Sequence, residues 1–337
     1  MCVAIIADDL TGACDTAIQL KHSQRDVRVF LDPLERLPWE DMPAVFAFYT
    51  DSRALAGAAA YERVFDTALH LKKQGVERFY KKIDSMFRGN AVQETAAMMD
   101  ALHFDLAIVA AAAPLNDRHI IDGMVVSRRM GKTVPAAELF AKNTDKRSAL
   151  IPLSLIRKGP VALEATIREE HENGAEILFM DAETLQDLSM ITYACGKLEK
   201  NFLPVGTSGW FRFLSEHWGF SDFTHTEESP NIHLRDSPVL YVVGTVNPIT
   251  ACQVNALIQH GDAAEVFLDT KACLEESAHT EVDRVIRAAK EAILSCSALS
   301  YSSGHTSGGS CAHASSMLKA PLVTAGISSK ADAQVSS

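Results

Sequence analysis

Short apolar runs alternate with helix-like segments along the first half of the chain. Val3–Ala7 is apolar throughout and rich in β-branched residues, too short for a helix of its own, and predicts a buried strand. Asp8-Asp9-Leu10-Thr11-Gly12 follows, then a helical pattern through Leu20. Residues 44–49 predict a second strand ending in Thr50-Asp51-Ser52-Arg53, with a helix over 58–73. Residues 78–83 predict a third, ending in Asp84-Ser85. Over 90–102 a helix begins at Asn90, which with Gln93 at the third helical position resembles a capping box. A fourth strand, over 106–112, runs into Pro114-Leu115-Asn116-Asp117-Arg118. Between 119 and 150 the pattern weakens into loops and short pieces. It recovers as a helix over 161–173, a strand over 176–180 and a helix over 182–200, and Val205-Gly206-Thr207-Ser208-Gly209 opens a further helix through Glu216. Such alternation predicts an α/β fold with a mostly parallel sheet.

Residues 224–237 are polar and carry Pro230, which marks a linker. An apolar strand restarts over 238–244, and Pro248–Gln259 reads as its helix. From 296 to 337 there are 12 serines and almost no charge, a composition poor at forming a core. The expected organisation is an α/β domain over 1–230, the start of a second, smaller α/β domain over 238–295, and an atypical Ser-rich tail over 296–337. About 60 ordinary residues are marginal for an independent core, so the second domain is expected to be truncated.

Length agrees: 337 residues suggest two domains. With 32 basic and 43 acidic residues the net charge is −11, which argues against nucleic acid as a partner. No apolar run approaches the ~20 residues of a membrane span, and the N-terminus lacks the basic region and cleavage site of a secretory signal. Seven cysteines, odd in number and without a C-x-x-C pair, exclude a disulfide framework and the usual zinc spacing. The chain reads as a reduced, cytoplasmic protein with no metal site of its own.

Candidate chemistry lies in a repeated placement. Four successive strands end in polar residues: Asp8 and Asp9; Asp51, Ser52 and Arg53; Lys82, Asp84, Ser85 and Arg88; Asn116 and Arg118. In a parallel sheet such ends converge on one edge, where ligands bind. Four cations there (Arg53, Lys82, Arg88, Arg118) in an acidic chain point to a small anion, a carboxylate or a phosphate. Helix N-termini after Thr11-Gly12 and at Asn90 add backbone donors. Polar residues after strands are also ordinary loop composition, and Lys81-Lys82 reads equally as a surface pair; agreement among four loops favours a site. Asp8-Asp9 suits either the aspartate nucleophile of a phosphatase or a carboxylate that orients and deprotonates a substrate hydroxyl. Gly206–Gly209 and the loop Gly244-Thr245-Val246-Asn247-Pro248 are small enough to approach a phosphate, but no Walker loop occurs, and each alone is more often a turn. The histidines lack metal-ligand spacing, and Trp210, Phe211, Phe213 and Trp218 have the spacing of a packed helix face.

The chain resembles the four-carbon acid sugar kinases, a family that includes D-threonate and D-erythronate kinases. The resemblance is carried by Ala7-Asp8-Asp9-Leu10-Thr11-Gly12-Ala13 with Asp15, by Thr50-Asp51-Ser52-Arg53, and by Tyr80-Lys81-Lys82-Ile83-Asp84-Ser85 with Arg88-Gly89-Asn90. Further matches are Pro114, Arg118 and Gly123, Asp181-Ala182-Glu183-Thr184, Gly206-Thr207-Ser208-Gly209, and Gly244 through Gln253. It implies an N-terminal domain for the sugar acid and a C-terminal domain for ATP, with Mg²⁺ bridging the phosphates. It implies substrate contacts from Asp9, Arg53, Lys82, Asp84, Ser85 and Arg88, and nucleotide contacts from Gly244, Thr245 and Asn247 in the loop after the 238–244 strand. The strand-end reading adds Arg118 to the substrate contacts, and Asp9 and Asp84 are the candidates for orienting or deprotonating the hydroxyl. The implied reaction is phosphorylation of D-threonate or D-erythronate at O4, with a homodimer left open.

Departures from the family pattern are Met86-Phe87 for Thr-Leu, Asp117 and His119 around Arg118, and Thr245 and Asn247 for serines. The family's Gly-Gly-Asp-Thr loop and later glycine segment are not found; Gly304-His305-Thr306 stands near the expected place without the acidic residue. A frameshifted or truncated reading after about residue 296 is therefore expected. Two rival readings are a sugar-acid-binding remnant without a competent ATP site and an aspartate-dependent phosphatase.

Overall fold

The computed structural model describes residues 2–20, 26–31, 39–198, 201–220, 239–245, 248–259, 263–274, 277–302 and 322–327. The chain divides into two compact units, Met1–Glu227 and Glu228–Ser337.

The first unit runs β1 (Val3–Ala7), α1 (Leu10–Ala17), β2 (Val27–Phe30), β3 (Val45–Tyr49), α2 (Gly57–Lys73), β4 (Arg78–Lys82), α3 (Ala91–Leu102) and β5 (Ala107–Ala110). There follow β6 (His119–Ile121), β7 (Met124–Ser127), β8 (Lys132–Val134), α4 (Ala136–Lys142), β9 (Ser148–Ile151), α5 (Leu153–Ile156) and α6 (Pro160–Glu172). The last elements are β10 (Ile177–Met180), α7 (Leu185–Cys195), β11 (Leu203–Gly206) and α8 (Ser208–His217). Eight strands form one sheet in the order β2-β3-β1-β4-β11-β5-β10-β9, all parallel. β6, β7 and β8 form a separate antiparallel sheet.

The predicted α/β class with a mostly parallel sheet is what the structure has. Strands β1, β5, β10 and β11 are buried at every position, as a parallel sheet covered on both faces requires. Register places Ala7 beside both Tyr49 and Lys82, so the loops after β3, β1 and β4 start side by side.

Four expectations change. The weak stretch over 119–150 holds β6–β8, α4 and the edge strand β9, and β2 was not foreseen at all. Asn90 begins α3 without a side-chain cap; its amide instead donates to the carbonyls of Ser52 and Leu55, each at 3.0 Å. A true capping box occurs at Thr184 and Asp187, where Arg157 also grips Asp187 through two bonds of 2.9 Å. Finally, β11 lies between β4 and β5, so the fourth strand end is not adjacent to the third.

The second unit contains β12 (Val239–Val243), α9 (Pro248–Gln259), β13 (Ala263–Leu268), α10 (Ala278–Ser302) and β14 (Leu322–Ile327). Its three strands are parallel in the order β12-β14-β13. Within the stretch read as an atypical Ser-rich tail, α10 continues to Ser302 and Leu322–Ile327 supplies the middle strand. The linker over 224–237 and the segment Gly304-His305-Thr306 lie outside the described residues.

Gly206 shows why β11 reads like a turn. A Cβ there would stand 2.4 Å from the Ala110 carbonyl oxygen and 2.8 Å from the Tyr80 hydroxyl, which donates to the Thr207 carbonyl at 2.6 Å. Gly206→Ala should destabilise the unit by about 2–3 kcal/mol, the usual cost of overpacking a close-packed site. Urea unfolding followed by tryptophan fluorescence checks this; a parent-like midpoint would mean that the strands separate without penalty.

Candidate functional site

The ends of β1, β3 and β4 build one connected set of charges. Asp8 and Asp9 follow β1. Asp9 adopts the extended backbone of an N-cap and its Oδ1 accepts from the Gly12 amide at 2.7 Å. A Cβ at Gly12 would meet that oxygen at 2.7 Å and Lys82 Nζ at 3.2 Å. Glycine is thus what lets Asp9 and Lys82 share this corner.

Arg53 stands at the centre. Its Nε and Nη2 donate to the two oxygens of Asp8 at 2.7 and 3.0 Å, a bidentate pair. Nη1 lies 2.6 Å from Asp9 Oδ2 and Nη2 lies 3.8 Å from Asp84 Oδ1. Burial opposes the charge on Arg53, but the bond to Asp8 and the charges of Asp8, Asp9 and Asp84 outweigh it and raise its pKa. The turn that carries Arg53 includes Asp51 in the left-handed region (φ 50°) and is clamped by Arg63, which donates to the carbonyls of Thr50 and Asp51.

Asp84 is held by its own loop. Its Oδ2 accepts from the amides of Met86 and Arg88 at 3.1 Å, and the Arg88 guanidinium adds bonds of 2.9 and 2.7 Å. Burial pushes the carboxyl up, but these bonds and the charges of Arg88 and Arg53 hold it below the ordinary value. Phe87, also left-handed (φ 57°), anchors the loop by packing on Phe140 and Phe179. The Ser85 hydroxyl has no protein partner among the described residues. Lys82 is buried and donates to the Ile83 carbonyl at 2.9 Å; desolvation lowers its pKa, with Asp8, Asp15, Asp84 and Asp9 acting against the shift.

Two expectations are corrected by this geometry. The rim is not a patch of bare positive charge, because Arg53, Lys82 and Arg88 are matched by Asp8, Asp9 and Asp84. Lys81-Lys82 is not a surface pair either, since both are buried and Lys81 meets Glu94 at 2.6 Å. Arg118 is tied elsewhere. Its guanidinium donates to the carbonyls of Asn116 and Asp117, to Ser127 Oγ and to Met130 Sδ. These bonds fasten it to the β6–β8 sheet, and no bond or ion pair joins it to the Arg53 cluster among the described residues. Asn116 is exposed. Sequence reasoning missed Arg63 and Glu94 as supports of this rim and gave Asn90 a capping role in place of its bonds to the Ser52 and Leu55 carbonyls; their partners are set by tertiary packing.

Gly244 and Thr245 follow β12, and a Cβ at Gly244 would meet nothing within 4 Å; Asn247 lies outside the described residues. No group of three or more His, Cys, Asp or Glu is placed to hold a metal ion among the described residues, and the rim carboxylates are already engaged by arginines. A cavity of about 390 Å³ opens at the other end of β4 and β11, walled by Phe79, Phe104, Pro204, Leu214 and Trp218; none of the candidate residues line it. No helix among the described residues is long and apolar enough to cross a membrane.

The parallel α/β unit that carries these paired carboxylates and cations coincides with residues 3–214, which match the family model of the sugar-binding N-terminal domain. The chain is 30% identical over 303 residues to the D-erythronate kinase of Heliobacterium modesticaldum, covering 84% of this chain and 66% of that protein. It is 30% identical over 304 residues to the D-threonate kinase of Cupriavidus necator, covering 87% and 71%. A Bordetella bronchiseptica domain of unknown function, crystallised as a domain-swapped dimer with bound citrate, superposes with a TM-score of 0.54 at 25% identity, covering 84% of this chain and 71% of that one. The chain belongs to the four-carbon acid sugar kinase family, and it spans about two thirds of the length of these curated relatives.

The Arg88–Asp84 pair has a definite pH signature. Because the folded pKa of Asp84 lies below its unfolded value, the pair stabilises the fold above the unfolded pKa, and this is lost as pH falls through the folded one. Arg88→Ala should cost on the order of 1 kcal/mol at pH 7, discounted for the exposed guanidinium. Unfolding measured across a pH series should show that difference closing as pH falls through the lowered pKa of Asp84. An equal difference at both ends would show that Arg88 acts by packing and not by charge.

Proposed function

We propose that the first unit binds a four-carbon sugar acid and that the chain serves a kinase that transfers the ATP γ-phosphoryl group to a hydroxyl of D-threonate or D-erythronate, giving the 4-phosphate. The observation that carries this reading is the balanced rim around Arg53. A polyhydroxy acid brings one carboxylate and several hydroxyls. Guanidinium and ammonium groups donate to the first, and carboxylates accept from the second. A phosphate ester alone would call for cations without the acids. The similarity to D-erythronate and D-threonate kinases supports the same substrate class.

Within this reading the partners of Arg53 divide the work. The Asp8 side chain is 4% exposed and Asp9 25%, so Asp8 anchors the guanidinium while an incoming carboxylate competes with Asp9 for Nη1. Asp9 Oδ1 stays on the Gly12 amide, and its other oxygen turns to a substrate hydroxyl. Asp84, fixed by Arg88, accepts from a second hydroxyl, and Ser85 offers an unengaged one. Asp9 and Asp84 are the two groups able to take the proton of the attacking hydroxyl, the base role in phosphoryl transfer. Both oxygens of Asp8 carry Arg53, which disfavours an aspartyl-phosphate mechanism. Gly244, Thr245 and Asn247 are the nucleotide contacts of this proposal. Mg²⁺ belongs to it through the nucleotide, not through a protein cage.

Calorimetry with D-threonate and D-erythronate, with and without Mg-ATP, tests the reading. Sugar-acid binding is expected, and Arg53→Ala should weaken it by about 3 kcal/mol, since it removes the guanidinium that meets the substrate carboxylate. Unchanged affinity in that variant removes Arg53 from the site. Phosphate release from esters without ATP would favour a phosphatase, and binding without turnover the remnant reading.

A further inference from the structure

Beneath the rim lies an ion pair to which the chemistry above gives no task. Lys81 leaves β4 on the face opposite Lys82, and its ammonium stands 2.6 Å from Glu94 Oε2 on α3, both side chains at 0% exposure. The same ammonium donates to the Lys82 carbonyl at 3.0 Å and reaches the Ile6 carbonyl at 3.5 Å. Two of its three protons go to carbonyls at the ends of β4 and β1, which leaves the third for the side of Glu94 Oε2. Glu94 Oε1 accepts from Ser52 Oγ at 2.7 Å. Ser52 Oγ in turn lies 2.7 Å from Thr50 Oγ1, which reaches the Ala7 carbonyl at 3.0 Å.

The contacts thus run from the ends of β1 and β4, through two buried charges, into the turn that ends in Arg53. The Ser52 amide closes the loop by donating to the Asp8 carbonyl at 3.1 Å. Ser52 is itself fully buried, so none of the three side chains can touch a bound molecule. A buried ion pair is a poor source of stability beside apolar side chains of equal volume. Its use here is geometric: it leaves the hydroxyl of Ser52 one place to point.

We propose that Lys81 and Glu94 are positioning residues which, through Ser52, set the Arg53 guanidinium in line with Asp8 and Asp9. This deepens the sugar-acid reading of the rim and rests on it for its consequence on affinity. Removing one charge leaves the other buried and uncompensated, so the informative variants of the full chain are Ser52→Ala and the paired change Lys81→Met with Glu94→Leu.

Two measurements separate the outcomes. Water exchange of the Arg53 Nε proton, followed by ¹⁵N NMR and assigned by its disappearance in Arg53→Lys, reports on positioning with no ligand present. In both variants that exchange should quicken about tenfold while cooperative thermal unfolding is retained, and D-threonate or D-erythronate affinity should fall about tenfold, the scale of one lost hydrogen bond to a charged group. Unchanged Arg53 exchange in both variants overturns the positioning role, whatever the affinity does. Faster exchange, in a chain whose parent binds neither acid, upholds the positioning role and overturns the sugar-acid reading instead.

Discussion

Arg53 is a planar fork with fixed donor directions, and the two acids it grips sit on consecutive residues after a different strand. Both demands are met only if β1 and β3 pair in the observed register, Ala7 beside Tyr49. A slip of one residue would turn Asp8 and Arg53 to opposite sides of the sheet. The guanidinium is only 26% exposed, so an unmatched orientation would leave charge in a poorly solvated place. Much else at this edge follows from that constraint: the left-handed Asp51, the amide of Asn90 on the Ser52 and Leu55 carbonyls, and the absence of a side chain at Gly12. Gly89 belongs here too, because a Cβ on it would stand 3.0 Å from Arg53 Cγ and 3.1 Å from its carbonyl oxygen.

Pairing the charges changes what the rim selects. Isolated cations would attract any small anion and would be screened by salt. A rim of alternating acids and bases instead demands that a ligand bring acceptors and donors in matching places. Groups held this firmly do not rearrange to suit an analogue, so a missing hydroxyl leaves a carboxylate oxygen without its partner. For a ligand of the proposed class, selectivity then resides in fixed polar geometry, while net attraction for anions is small.

What could be read from the sequence follows burial. β1, β3 and β5 were legible because uninterrupted apolar runs leave few alternatives, and β4, Arg-Phe-Tyr-Lys-Lys, was read as a strand despite its three cations; with them came the clusters at Asp8-Asp9, Asp51–Arg53 and Lys82–Ser85. β2, with Arg28 inside Val-Arg-Val-Phe and half-buried throughout, and the edge strand β9 carry no such run. Strand order is not written in local pattern, and β11 between β4 and β5 is what separates Arg118 from the other cations. Consecutive lysines look like surface; only the tertiary placement of Glu94 makes Lys81 a buried ion. Asn90 was recognised as special for its residue type but given the wrong partner, because an amide that can cap a helix can equally hold a neighbouring turn. Thr184-x-x-Asp187 had the spacing of a capping box and went unread beside its role as a family match.

The two units also differ in how completely they cover their sheets. In the first, the central parallel strands β1, β5, β10 and β11 are buried on both faces. In the second, Leu240, Tyr241 and Val242 of β12 are 50%, 40% and 78% exposed, against the usual demand of parallel strands for cover. Two units covered to such different degrees are expected to unfold in separate transitions, in which case no single free energy of unfolding describes the whole chain. The chain has three tryptophans, Trp39, Trp210 and Trp218, and all belong to the first unit. Trp210 is fully buried, with its indole N–H donating to Thr192 Oγ1 at 3.1 Å. Tryptophan fluorescence consequently follows the first unit alone, and a difference between its transition and that seen by far-ultraviolet circular dichroism measures the second unit by subtraction.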